Sequence, residues 1–255
     1  VNIKPPFGYQ DIVPLGKTQR VLLQAGRRLP AQLRGLGALP LSFSEFPPAA
    51  RDYPVTFISG DGGKTYAAMI LLGVEAGQNL FVDAGDCWDP AAYLPAYVRR
   101  HPFCMTRVSV NGQEQPERVA CVEKTAIRDD GTALFDAGGK PLPVWDGLSK
   151  LLFEFEADIG RSEEMARRLH ALKLLEPFAA QALPNGEQPI TLTGMYRVSE
   201  ERLHDLPAET LKELARNGVL ARVYLHLLSL GNFQRLLDRR AARRARATVD
   251  PKTLN

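Results

Sequence analysis

Three observations predict an α+β fold, with a mainly antiparallel sheet from the N-terminal half packed against helices of the C-terminal half. Short runs rich in β-branched and aromatic residues, broken by Gly and Pro, fill the first half. The apolar residues then switch to helical spacing at Leu148, Leu151, Leu152, Phe155 and Ile159. No segment between the two regions has the composition of a flexible tether, so the helix must cover its apolar face on the sheet. Residues 1–237 are therefore expected to form a single domain, followed by a basic, flexible tail over 238–255.

In chain order, residues 21–23 and 41–43 are weak strand candidates. Residues 55–58 (VTFI) form a compact one, and 65–72 another. The SGDGGK segment between these two supplies the φ > 0 residues of a hairpin connection. Residues 79–83 (NLFVD), 105–110 and 118–123 read as further strands. A long amphipathic helix is expected over 146–176, with Asp146 as N-cap, a bend near Gly160 and Pro177 just beyond its end. Residues 190–198 read as a strand, and a short helix follows from Ser199. Pro207 opens another helix at a tolerated first-turn position, and Asn217-Gly218 closes it. Residues 219–228 fit strand or helix. A last helix runs from about Ser229 into the arginine-rich end.

Composition narrows the function classes. Hydrophobic residues make up 45% and charged residues 24%, which is ordinary globular usage. No run approaches the roughly 18–20 apolar residues of a membrane-spanning helix. The first 17 residues contain no apolar stretch of the kind a secretion signal carries, so a cytoplasmic location is expected. Cys87, Cys104 and Cys121 form no C-x-x-C pair and are odd in number, which fits reduced thiols rather than a disulfide framework or a zinc site. The net charge of +3 lies at the end of the chain. From Arg235 onward there are seven Lys/Arg and two Asp/Glu, which leaves 25 basic and 27 acidic residues, a net −2, for the rest. A nucleic-acid-binding body is not implied.

Several blocks, in order, resemble the SapC family of bacterial proteins. PLSFSEFPPAARDYPVTF resembles the family's opening, and NLFVDAGDCWDPAAYLPAYVRRHPF its most distinctive segment. ALFDAGGKP, LKLLEP, LTGMYRVSEERLHDLP and GVLARVYLHLLSLGNFQRL follow, so the likeness spans roughly residues 38–237. The resemblance implies a link to bacterial surface-layer (S-layer) protein export or assembly. It supplies no active site and no cofactor to carry over. His101 stands where similar members commonly have Tyr.

Read for chemistry, Gly63-Lys64-Thr65 is not a phosphate loop. The earlier glycine that motif needs is Ile58 here, and the segment joins two strands rather than leading into a helix. Asp83, Asp86 and Asp89 are better turn formers and caps than cation ligands, so no metal site is assigned. Among the four histidines, no H-E-x-x-H arises, and the chain has no G-x-S-x-G, so the catalytic residues are unknown. Glu154, Glu156 and Asp158 are expected on the solvent face of the long helix. The tail arginines have no aromatic partner for base stacking, so nucleic-acid contact is not expected.

Trp88, Tyr93, Tyr97, Arg99 and Arg100 are the candidate ligand-binding residues. They bring aromatic walls and two fixed cations into one short block containing Pro95 and flanked by Pro102. The sequence thus predicts a soluble accessory or binding protein without a cofactor. Its expected partner is a protein or a small anionic ligand, and a homo-oligomer is allowed. The alternative is an enzyme acting on a peptide or small anionic ligand near residues 88–100.

Overall fold

A computed structural model describes residues 2–24, 26–110, 113–182 and 190–249. The strands are β1 (Asn2–Ile3), β2 (Ile12–Pro14), β3 (Arg20–Val21), β4 (Ala38–Pro40), β5 (Val55–Ile58) and β6 (Ala67–Leu71). They continue as β7 (Phe103–Val110), β8 (Gln113–Glu123), β9 (Thr132–Ala133), β10 (Leu175–Ala182) and β11 (Ile190–Val198). The helices are α1 (Ala31–Arg34), α2 (Phe46–Asp52), α3 (Ala96–Arg99) and α4 (Pro143–Ala171). Then follow α5 (Glu200–His204), α6 (Ala208–Arg216), α7 (Val219–Ser229) and α8 (Asn232–Val249). The strands of every sheet are antiparallel, and the first half is mostly strand and the second mostly helix, as an α+β fold requires. Among the described residues, no helix is long and apolar enough to cross a membrane.

By its internal contacts the chain divides into two compact units. The first comprises Val1–Arg34, Val82–Pro90 and Leu94–Ala157. Its sheet runs β1-β7-β8-β2, with Phe103 opposite Val122 and Cys104 opposite Cys121. Phe103, Met105 and Val122 are buried under the first turns of α4, where Val144, Trp145, Leu148 and Leu152 face them. The Phe103 and Trp145 rings meet edge to face at 5.4 Å. Each large side chain so buried contributes about 1.5–3 kcal/mol. Strands β3 and β9 approach so closely that a Cβ on Gly131 would lie 2.6 Å from the Val21 carbonyl carbon. All three cysteines are free thiols, and Cys104 and Cys121 are buried.

The second unit comprises Gly35–Phe81, Ala91–Tyr93 and Asp158–Asn255. Its sheet runs β10-β11-β5-β6-β4. The β5–β6 connection is a turn ordered by Asp61. That carboxylate accepts from the Thr65 hydroxyl (2.7 Å), the Thr65 and Lys64 amides and the Ser59 hydroxyl. These donors, Thr65 first, hold its pKa well below the usual carboxylate range.

Strands β5 and β11 pair at Ile58–Met195 and Phe57–Tyr196. The same register would bring Val55 opposite Val198, and there the imidazole of His226, from α7, stands between them. Its Nδ1 lies 2.8 Å from the Val55 carbonyl oxygen, and the Val198 amide donates to Nε2 at 3.1 Å. The carbonyl can only accept and the amide can only donate, so the ring is neutral with its proton on Nδ1. The Val55 amide is taken by the Ser229 hydroxyl at 2.9 Å, again from α7.

The departures from the sequence expectation have local causes. Residues 79–83 are turn rather than strand. Asn79 Oδ1 accepts from the Phe81 amide, and Asp83 Oδ1 takes the amides of Gly85 and Cys87. Asp83 is thus a turn former, and Asp86 pairs with Arg34 at 3.0 Å. The long helix begins at Pro143, so Asp146 sits in its first turn instead of capping it. It continues through Gly160 and ends at Ala171, five residues early. Lys173 adopts φ +57°, and the Leu174 amide reaches back to the Leu169 carbonyl, which closes the helix without a glycine. Leu175 then opens β10, and residues 219–228 are helix. Helix α2, with Pro47 in its first turn, stands where the sequence predicts no element. The stretch set apart from residue 238 is α8 through Val249, and residues 250–255 lie outside the described residues. Arg240 and Arg244 both pair with Glu75, at 2.7 and 3.1 Å, and Arg239 stacks on Phe81.

The His226 geometry generates a pH prediction. Burial lowers its pKa from 6.5 to about 4, so between these values the unfolded chain binds the proton that the folded chain refuses. Stability from this group is full above pH 6.5 and is lost as the pH falls toward 4. His226→Gln keeps a donor and an acceptor but does not titrate. Urea unfolding from pH 7 to 4.5 should show a pH slope shallower in the variant by about 1.4 kcal/mol per pH unit. Equal slopes would refute the assignment.

Candidate functional site

The block singled out in the sequence is built around Pro95, whose fixed φ starts the single turn of α3. Along that turn Ala96, Tyr97 and Val98 are buried and Arg99 is exposed. Arg99 Nε donates to the Leu94 carbonyl at 3.1 Å. Arg100, one residue on, turns inward and is only 3% exposed. Trp88 is fully buried in the same unit, its amide bonded to the Arg27 carbonyl at 2.8 Å. Tyr93 belongs to the second unit. Its hydroxyl donates to Glu45 at 2.9 Å, its amide donates to Asp52, and its carbonyl accepts from the Tyr53 hydroxyl. Of the five residues, the structure therefore brings Tyr97 and Arg100 into direct contact.

Arg100 is the centre of a cage. Its guanidinium lies 4.2 Å from the Tyr97 ring centroid, 4.6 Å from Phe155 and 5.5 Å from Tyr9. Its charge is met by Glu156, with Nη1 to Oε1 at 3.1 Å, and the other Glu156 oxygen accepts from Arg118. The ring hydroxyls are tied to backbone, Tyr9 to the Phe103 carbonyl at 2.6 Å and Tyr97 to the Phe7 carbonyl. Two nitrogens, Arg100 Nε and His101 Nε2, are buried without a hydrogen-bond partner among the described residues.

The electrostatics follow from this packing. Burial raises the pKa of the Tyr9 and Tyr97 phenols, and the Arg100 charge only partly opposes it. Burial and then Arg100 lower His101 from 6.5 to about 4. Cys104 is pushed up to about 12 and Cys121 to about 11, in both cases chiefly by burial. At neutral pH these are neutral phenols, a neutral imidazole and thiols around one compensated cation. None is poised to exchange a proton near pH 7. The arrangement can hold a hydrogen-bond acceptor and can stiffen the sheet.

Tyr9, Phe155 and Glu156 were not among the candidate residues. Phe155 lay on the recognised apolar face of the long helix. Glu156 was expected on its solvent face; instead the buried Arg100 cation, stacked on the neighbouring Phe155 ring, pairs with its carboxylate and holds it half-buried. A prediction follows. Arg100→Ala leaves Glu156 with only the outer Arg118 and empties the cage, and should cost about 3 kcal/mol. Thermal unfolding should then fall by roughly 6–12 °C. Arg99→Ala should stay within about 0.5 kcal/mol of the parent. A midpoint unmoved by Arg100→Ala would show that the cage holds nothing together.

Comparison with known proteins adds one positive finding. No curated protein and no solved structure matches the chain. The family model SapC matches residues 22–236, which takes in both the α3 block and the C-terminal helices up to the first turns of α8. With most of its length accounted for by that match, the chain belongs to the SapC family.

Proposed function

We propose that the chain is an accessory protein that binds a protein partner during export or assembly of bacterial surface-layer proteins, and that it works on the cytoplasmic side. Family membership supports the biological setting. The observation that carries the molecular reading is the Arg100–Glu156 pair. The strongest anion-binding group of the block is already neutralised, so an anionic ligand would have to displace a half-buried carboxylate. On this reading Trp88, Tyr97 and Arg100 are the scaffold. The exposed residues they support, Arg99 on α3 and Phe7 beside the Tyr97 hydroxyl, are the contact surface.

One observation favours a second reading. The unpartnered Arg100 Nε and His101 Nε2 lie on consecutive residues, and a small anionic ligand or enzyme substrate would satisfy both. A buried N–H without a hydrogen-bond acceptor is costly even where the charge is paired, which gives such a ligand a reason to bind.

Deleting the gene in a host that makes a surface layer, followed by fractionation and immunoblotting, tests the first reading. Surface-layer protein should fall at the cell surface and accumulate inside. The parent chain should restore it. Arg99→Glu should fail to restore it while keeping its unfolding midpoint. Unchanged surface protein in the deletion strain would sink the proposal.

A further inference from the structure

We propose that Cys104 and Cys121 are a latent disulfide pair, closed by thiol–disulfide exchange with a small-molecule disulfide when the surroundings turn oxidising. This stands on strands β7 and β8 alone and goes beyond the partner reading above. The two cysteines are direct cross-strand partners. Alternation sends Phe103, Met105 and Val122 to the face under α4, so both thiols project from the other face of the sheet. The ladder sets their spacing. The Glu123 amide donates to the Pro102 carbonyl at 2.9 Å, so hydrogen-bonded pairs fall at 102/123 and, by alternation, at Cys104/Cys121. Such a pair holds its Cα atoms about 5.5 Å apart, which lies in the commonest range across a disulfide. Closing the bond therefore asks for side-chain rotation rather than a shift of either strand.

Among the described residues, no group of three or more His, Cys, Asp and Glu side chains could hold a metal ion, so the pair is not half of a metal site. The third cysteine, Cys87, is only half-buried, and its thiol is turned to the Gly85 carbonyl at 3.7 Å. Burial pushes Cys121 up to about 11 and Cys104 to about 12, so both stay protonated at neutral pH and Cys121 yields its proton first. The Cys121 thiolate attacks one sulfur of the reagent, forms a mixed disulfide and releases one small thiolate. Cys104 then loses its proton and attacks the Cys121 sulfur, which releases the second small thiolate. The two protons given up by the cysteines return to those leaving groups. Two electrons pass from the protein to the reagent, and its S–S bond is exchanged for the one between the strands. Both side chains are fully buried, so the exchange waits for a local opening of the strands or for folding in an oxidising medium. The finished bond ties β7 to β8 beside Arg100, whose charge reaches Cys104.

Refolding the urea-unfolded full chain in a buffer of reduced and oxidised glutathione tests this, because access to the thiols then limits nothing. Trypsin separates the two cysteines, since Cys104 lies in the peptide 101–107 and Cys121 in 119–124. Mass spectrometry without reduction should find these peptides joined and lighter by two hydrogen atoms than their sum. That link should exceed the pairings of Cys87 with either partner at least tenfold, and Cys87 should remain open to alkylation. The folded parent in the same buffer should reach the same product more slowly. Cys87→Ser should still form the link. The oxidised chain should unfold roughly 5–10 °C above the reduced one, because the bond restricts the unfolded state. Three free thiols after refolding, glutathione adducts in place of the link, or an even mixture of the three possible pairings overturns the proposal. So does an oxidised form that unfolds below the reduced one.

Discussion

The sheet of the second unit is held open at one end by an imidazole, and much of that unit's order follows from where the ring comes from. His226 stands between Val55 and Val198 and satisfies the carbonyl of one and the amide of the other. Those two groups would otherwise be buried and unpaired, or would close on each other and expel the helix. Ser229, one turn further along α7, takes the remaining Val55 amide, and its hydroxyl donates to the His226 carbonyl at 2.6 Å. Helix α7 is therefore bonded to the strands as well as packed on them. Its rotation is fixed, and so is the face it turns outward.

The same logic governs the first unit, with a cation in place of a neutral ring. Arg100 cannot lose its charge, so the chain surrounds it with three ring faces and a carboxylate. Burial keeps the surrounding titratable groups neutral. It depresses His101, where the Arg100 charge acts in the same direction, and it raises the phenols and the Cys104 thiol, where that charge opposes it without overcoming it.

How much of this was legible follows from what kind of signal each feature leaves. Periodicity located α4, and turn chemistry located the β5–β6 hairpin and the end of α6 at Gly218, whose φ is +78°. The C-terminus of α4 was missed because the left-handed residue that ends it is Lys173, not glycine. Residues 79–83 have strand composition, but the Asn79 side-chain oxygen claims the Phe81 amide, and the Asp83 carboxylate turns the chain by taking the amides of Gly85 and Cys87. Tyr97 and Arg100 were found because the aromatic and arginine residues are dense in sequence. Tyr9, Phe155 and Glu156 converge on them from distant segments, and a single sequence carries no record of that convergence.

Helix α8 carries the second unit past the boundary of the family match. The family match ends at Leu236 while the helix goes on to Val249. Past that limit Arg239 covers one face of the Phe81 ring, Arg243 donates to the Asn79 carbonyl at 2.7 Å, and Arg240 is buried against Glu75. A protease that trimmed the chain at the family boundary would uncover an aromatic face and strand an acid. The arginines that look in sequence like a dispensable charged appendage serve as the lid on that corner of the second unit, and their guanidinium planes, rather than their charge alone, make the seal.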